Sequence, residues 1–389
     1  MNYSTIKDLA RANGLRVGDL IALAPQNDPF YVGRPAEMEG AEWFANLWRR
    51  FGYSRGVHLR RIHYQIVSQN PQVRKPNGEP YENTERDWDY LTSVSKWARY
   101  LDFVPAGAFV DRRNPAAIIN AQWQAGDPTP RWSIDDDVWW YVAFPELAAL
   151  AELERMPDVP EFTVSGYTSV QQDYHIEVWV EKTTMNDVLE PLCQGFRANL
   201  VTGAGELSIT AVLDLLRRVQ DADRPARILY VSDFDPAGLG MPISVARKIE
   251  FYQRRGGLDH LDIRLQPVVL TAEQVDEYDL PRVPVKDSDL RKASFEAAHG
   301  EGQVELDALE ALYPGRLAEI VSEAIEQYYD DSLSDRAREA RDGFLELLAG
   351  ERDGILEDFA DTLDRLQEAY QDVLDEYDET RQRFAEMAA

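Results

Sequence analysis

Several things are scarce in this chain of 389 residues. It has one cysteine, Cys193, so no intramolecular disulfide and no cysteine zinc site can form. Its five histidines (His58, His63, His175, His260 and His299) show no ligand spacing, which argues against a zinc enzyme. No apolar run approaches the roughly 20 residues needed to span a bilayer. The opening Met1-Asn-Tyr-Ser-Thr-Ile-Lys7 lacks the apolar core of a signal peptide. These absences predict a soluble, cytoplasmic protein. No Gly-x-x-x-x-Gly-Lys-Ser/Thr loop is present, so no ATP-binding signature of that kind is visible. Lysine is also rare: seven of the 41 basic residues are Lys and the rest are Arg.

What is abundant is acid, giving a net charge of −28. Such a charge by itself argues against a polyanionic partner. High Asp and Glu with little Lys resembles proteins of salt-loving cells, and on that reading the charge reflects habitat. Against this background, the basic residues between 55 and 113 stand out: Arg55, Arg60, Arg61, Arg74, Lys75, Arg86, Lys96, Arg99, Arg112 and Arg113. Two apolar-periodic helices are expected here, Leu59 to Val67 and one starting near Asn83-Thr84-Glu85, with a turn at Gln72 to Gly78 between them. Helix, turn, helix and basic tail suits a winged-helix or helix-turn-helix unit on double-stranded DNA, with Arg60, Arg61, Arg86, Lys96, Arg99, Arg112 and Arg113 as contacts. A helical subdomain with a solvated basic face has the same pattern.

Residues 173–300 alternate strand and helix, which predicts an α/β fold with a mostly parallel sheet. The central stretch is Arg227-Ile-Leu-Tyr-Val-Ser-Asp-Phe-Asp-Pro-Ala-Gly238. Ile228 to Val231 read as a strand buried on both faces, with Asp233 and Asp235 at its carboxyl end. Pro236 and Gly238 then break it. Paired carboxylates at such a strand end suit an oxygen-ligated Mg²⁺. Ile176-Glu-Val-Trp-Val-Glu181-Lys182 reads as a second strand ending in an acid. Gly203-Ala-Gly205-Glu206 follows another strand, as a tight turn or a phosphate-binding one.

A lone acid at one strand end and Asp-x-Asp at another resembles a Toprim domain. Asp233-Phe-Asp-Pro-Ala-Gly238 is similar to the Asp-x-Asp-Pro-x-Gly of the A subunit of type IIB topoisomerases (topoisomerase VI), in its prokaryotic branch, and of the related meiotic break-forming proteins. Arg60-Arg-Ile-His-Tyr64 falls on that family's Arg-x-x-aromatic-Tyr motif, with His63 where the family usually has Tyr or Phe. The resemblance covers roughly residues 55–330. It implies a winged-helix-like region (55–165, with linker), a Toprim domain (166–330), and Tyr64 as nucleophile assisted by Arg60. It further implies Glu181, Asp233 and Asp235 around Mg²⁺, with Glu181 as ligand or general acid. The expected product is a 5′-phosphotyrosyl double-strand break, made by a homodimer in which one subunit supplies Tyr64 and the other the metal, with a separate ATPase B subunit if strands are passed. Hydrolysis by metal-bound water, as in Toprim nucleases of defence systems, and a catalytically silent DNA-binding role are the alternatives. A buried Tyr64 packing its helix is the alternative to a nucleophile. Val304 to Leu309 resembles a segment that follows the Toprim core in prokaryotic relatives, where Glu305 or Asp307 either approaches the metals or faces solvent.

Outside the resemblance lie an N-terminal helical extension (1–54) and a tail (331–389). In the tail, apolar residues from Leu345 to Phe384 step by three and four, with 18 acids against seven Arg. This predicts a coiled-coil-like acidic helix, a dimer seam or partner arm, with Gly350 and Gly354 as candidate breaks.

Overall fold

The computed structural model describes residues 2–111, 114–121, 131–134, 162–165, 172–203 and 208–388. The expectations for Arg112, Arg113, Gly205 and Glu206 fall outside these residues. In chain order, the first helices are α1 (Tyr3–Asn13), α2 (Pro35–Arg50), α3 (Leu59–Val67) and α4 (Glu85–Tyr100). An antiparallel pair follows, β1 (Arg131–Ile134) with β2 (Phe162–Ser165). Then come β3 (His175–Val180), α5 (Asn186–Gly195), β4 (Asn199–Thr202), α6 (Ile209–Ala222), β5 (Ala226–Val231), α7 (Gly240–Gly256) and β6 (Ile263–Val269). Four short helices close the body: α8 (Ala272–Glu277), α9 (Lys292–His299), α10 (Leu306–Leu312) and α11 (Arg316–Glu326). The chain continues into α12 (Leu333–Ala388).

Two compact units result. One joins Met1–Trp123 to Gln172–Asp330, and the other joins Gln124–Gln171 to Asp331–Ala389. The first holds a four-stranded parallel sheet in the order β4-β3-β5-β6. Parallel neighbours require crossovers, which α5, α6 and α7 supply. β3 and β5 are buried at every position, as helix-covered strands must be. Alternate side chains serve opposite faces. Val178, Val180, Leu229 and Val231 pack with α5, α10 and α11. Trp179, Ile228 and Tyr230 pack with α6, α7 and the N-terminal Ile6 and Phe30. The helix after β3 therefore covers one face and the helix after β5 the other. β3 and β5 are neighbours, so a crevice opens at their carboxyl ends, where ligands gather in open α/β sheets.

A third core joins α2, α3 and α4 through Phe44, Trp48, Ile62, Ile66, Leu91 and Val94. α4 begins at an N-cap, the Thr84 side chain accepting from the Asp87 N–H, as the sequence predicts. The turn at 72–78 is a short hairpin. Tyr81 N–H donates to the Val73 carbonyl and Lys75 N–H to the Glu79 carbonyl, with Gly78 at φ 87° where left-handed backbone is needed. In the second unit α12 runs unbroken for 56 residues. Gly350 and Gly354 do not break it. Each glycine costs about 1 kcal/mol in a helix, and the Leu, Ala, Glu and Arg around them favour helix throughout.

Candidate active site

The backbone register sets the site. Val180 pairs with Val231, and the Glu181 N–H donates to the Val231 carbonyl at 3.2 Å. Glu181 thus leaves β3 beside the point where Ser232 and Asp233 leave β5. The chain then turns sharply. Gly238 N–H donates to Asp235 Oδ1 at 2.5 Å, and the Ser232 hydroxyl donates to the Gly238 carbonyl at 3.1 Å. A Cβ on Gly238 would lie 2.1 Å from the Asp233 carbonyl oxygen, so only glycine allows the turn to close. Asp233 and Asp235 are thereby presented from one tight loop.

Glu181, Asp233 and Asp235 are close enough to perturb one another. Burial raises the Glu181 carboxyl first, and the charges of Asp233 and Asp235 raise it further, to about 7. Its Oε2 is buried and has no hydrogen-bond partner. Asp233 is 6% exposed, and its pKa is likewise raised, chiefly by burial. Its Oδ1 accepts the Leu306 N–H at 2.8 Å, and its Oδ2 meets Lys182 Nζ at 3.0 Å. Lys182 Nζ also lies 3.0 Å from Asp307 Oδ2 and 3.4 Å from Glu305 Oε2. Burial opposes the charge on Lys182, but its bonds to Asp233 and Asp307 outweigh that and hold its pKa above the ordinary lysine value.

The donor set is all oxygen, and an unpartnered buried carboxylate oxygen faces a crowd of like charges. That chemistry fits a hard divalent cation such as Mg²⁺. Among the described residues, no three His, Cys, Asp or Glu side chains close around one metal position. The acids are adjacent without converging, and both oxygens of Asp233 are already engaged. Glu305 and Asp307, the acids with two readings, turn toward the site through Lys182. The segment is brought there by paired backbone bonds of 2.9 Å between Phe234 and Val304.

The second group of expected residues sits on α3. Tyr64 is 57% exposed, which excludes a role as helix packing. Arg60 and Arg61 are four and three residues earlier, exposed on the same helical face. Arg60 also stands 6.0 Å over the Trp88 ring. His63 faces the other way and is 5% exposed, its Nδ1 2.7 Å from Tyr81 Oη and its Nε2 3.0 Å from Asn83 Oδ1. The residue that departs from the family motif is therefore an interior anchor for the helix that carries Tyr64. No hydrogen bond or ion pair links Tyr64 to Glu181, Asp233 or Asp235 among the described residues.

Of the expected DNA contacts, Arg86 is exposed and lies 3.6 Å from Glu79. Lys96 is half-buried in a cleft of about 410 Å³ between α4 and the start of α6. Arg99 needs correction. It is 8% exposed, with Nε donating to the Ala106 carbonyl at 2.6 Å and Nη2 to Thr210 Oγ1 at 3.3 Å, so it ties α4 to α6 and adds no surface charge.

One acid escaped the sequence reading. Glu177 is fully buried in β3. It accepts two bonds of 2.7 Å from Arg218, one of 2.8 Å from Trp179 Nε1 and one of 3.2 Å from Asn199, and it lies 2.8 Å from His175 Nε2. Burial alone would raise its pKa, but the Arg218 and His175 contacts outweigh burial and hold it well below the ordinary range. Its saturated partner set marks it as architecture of the sheet.

No helix among the described residues is long and apolar enough to cross a membrane. Comparison with known proteins yields no matching family model and no matching curated sequence, so the resemblance to Toprim proteins rests on the residues at 60–64, 181–182 and 233–238.

Proposed function

We propose that this protein is a Mg²⁺-dependent DNA-cleaving enzyme of the Toprim kind, similar to the type IIB topoisomerase A subunits. The observation that carries the reading is a buried Glu181 oxygen without a hydrogen-bond partner at the carboxyl end of β3, with Asp233 and Asp235 raising its pKa from the end of the adjacent parallel strand. Glu181, Asp233 and Asp235 would hold the ion, which when bound offsets charge growing on the phosphate. Glu181 is the acid whose proton is most readily exchanged near neutral pH.

Tyr64 is the proposed nucleophile. The attacking form is the phenolate, which positive charge nearby favours. Arg60 and Arg61 on the same exposed face supply it. The phenol proton passes to solvent, the phenolate oxygen bonds to phosphorus as the bond to the 3′-oxygen breaks, the leaving 3′-oxygen takes a proton back from solvent, and a 5′-phosphotyrosyl link remains. Tyr64 and the three acids lie on different elements, and the proposed active form is a homodimer in which they meet across subunits. α12 supplies a long helix for such pairing, with exposed Ile355, Phe359, Val373 and Phe384. The helix pair α3 and α4, with its intervening hairpin, is the proposed winged-helix-like DNA reader. Arg60, Arg61 and Arg86 are the exposed contacts on it. Strand passage would need a separate ATPase subunit.

The test is cleavage of plasmid DNA by wild type, Tyr64→Phe and Asp233→Ala/Asp235→Ala. Loss in both variants supports transesterification. Cleavage that survives Tyr64→Phe assigns the attack to water and makes this a hydrolytic nuclease. Cleavage that survives the double alanine removes the Toprim site from the chemistry.

A further inference from the structure

The three acids are not the whole of the charge at this crevice. Lys182 directly follows Glu181, and its ammonium is set among Asp233 Oδ2 at 3.0 Å, Asp307 Oδ2 at 3.0 Å and Glu305 Oε2 at 3.4 Å. An ammonium has three N–H donors, and here three carboxylate oxygens face it. Such an oxygen set suits a hard divalent ion. Glu305 and Asp307 flank Leu306, whose N–H is itself bonded to Asp233 Oδ1. The start of α10 is therefore fastened to Asp233 twice, once through backbone and once through Lys182.

We infer that Lys182 is a tethered cation occupying the position a second divalent ion would take, so that the site binds a single metal ion. This rests on the proposed metal-dependent reading of Glu181, Asp233 and Asp235. Lys182 is a positioning residue on this account. It fixes Asp233 Oδ2, holds Glu305 and Asp307 in place, and leaves one ion to Glu181, Asp233 and Asp235. Five carboxylates surround the crevice, and the ammonium neutralises one without needing a ligand from solution. Without it, Asp233, Glu305 and Asp307 become three uncompensated carboxylates suited to a further divalent ion.

Isothermal titration of the full chain with Mn²⁺, with electron paramagnetic resonance of the bound ions, tests this without reference to cleavage. The expected result is one ion per chain in wild type and two in Lys182→Met, with the spin–spin coupling of a close pair appearing only in the variant. Two ions in wild type, or one in a folded Lys182→Met, overturns the inference. Glu305→Gln/Asp307→Asn, which keeps Lys182, covers the case in which Lys182→Met does not fold. It should still bind one ion with affinity within about twofold of wild type, and a lost ion or a tenfold weaker one would show that these acids are metal ligands. No Mn²⁺ bound to wild type or any variant would instead refute the metal-dependent reading itself.

Discussion

Gly238 and Asp233 approach so closely that any side chain at 238 would meet the Asp233 carbonyl oxygen at 2.1 Å. The turn that presents both aspartates exists because residue 238 has no Cβ. Gly238→Ala is expected to open the loop and displace Asp235, whose Oδ1 accepts the Gly238 N–H. Overpacking of this kind costs about 1–3 kcal/mol. A chemical denaturation curve should show that loss, and calorimetry should show divalent-ion binding at least tenfold weaker.

The Glu177–Arg218 pair concerns stability rather than chemistry. Removing one partner of a buried pair leaves the other charge uncompensated, at about 3–5 kcal/mol. Glu177→Ala should therefore destabilise the first unit by that order in urea denaturation. The folded pKa of Glu177 lies below its ordinary value of 4.5. Its contribution is present above that value and is lost as pH falls toward the folded pKa. Wild type and Glu177→Gln should converge in stability as the pH drops below about 4, if the ionised form is what matters.

Glu181 works in the opposite direction. Its folded pKa is raised from 4.5 to about 7. The folded chain thus holds a proton that the unfolded chain releases between those values. The contribution of Glu181 is complete below 4.5 and disappears as pH climbs through 7. Melting curves of wild type minus Glu181→Gln should show this decline. On the proposed metal-binding role of Glu181, Mg²⁺ should offset it above pH 7 by binding the ionised carboxylate, and its affinity should rise with pH across the same window.

Tyr64 and His63 are adjacent in sequence and opposite in role. Tyr64→Phe removes an exposed hydroxyl and should change stability by less than about 0.5 kcal/mol. His63→Ala leaves the buried Tyr81 hydroxyl without its partner and should cost about 1–3 kcal/mol. Equal destabilisation by both variants would place Tyr64 in the core instead of on the working face.

The α/β character was legible because apolar runs such as Ile228 to Val231 have few interpretations other than covered strands. The strand-end acids were legible for the same reason, since the run fixes where the carboxyl end falls. Arg99 misled because it was counted as charge instead of placed on its helix. It lies four residues after Ser95 and eight after Leu91, on the buried stripe of α4. The contacts of Lys182 with Glu305 and Asp307 span more than a hundred residues, and the Phe234–Val304 pairing and the Leu306–Asp233 bond bring them together. Glu177 was visible as a strand residue, but its partner Arg218 lies 41 residues away on α6, and no local pattern links them.

The central claim is that an exposed tyrosine and a strand-end carboxylate cluster act together on a DNA phosphate. Supercoiled plasmid incubated with the protein and Mg²⁺, denatured without protease and then probed for protein on the DNA ends, tests it most directly. The account predicts protein covalently attached to 5′ ends in wild type, and none with Tyr64→Phe or when Mg²⁺ is chelated. Breaks whose 5′ ends are free of protein, or plasmid left intact under all conditions, would contradict it.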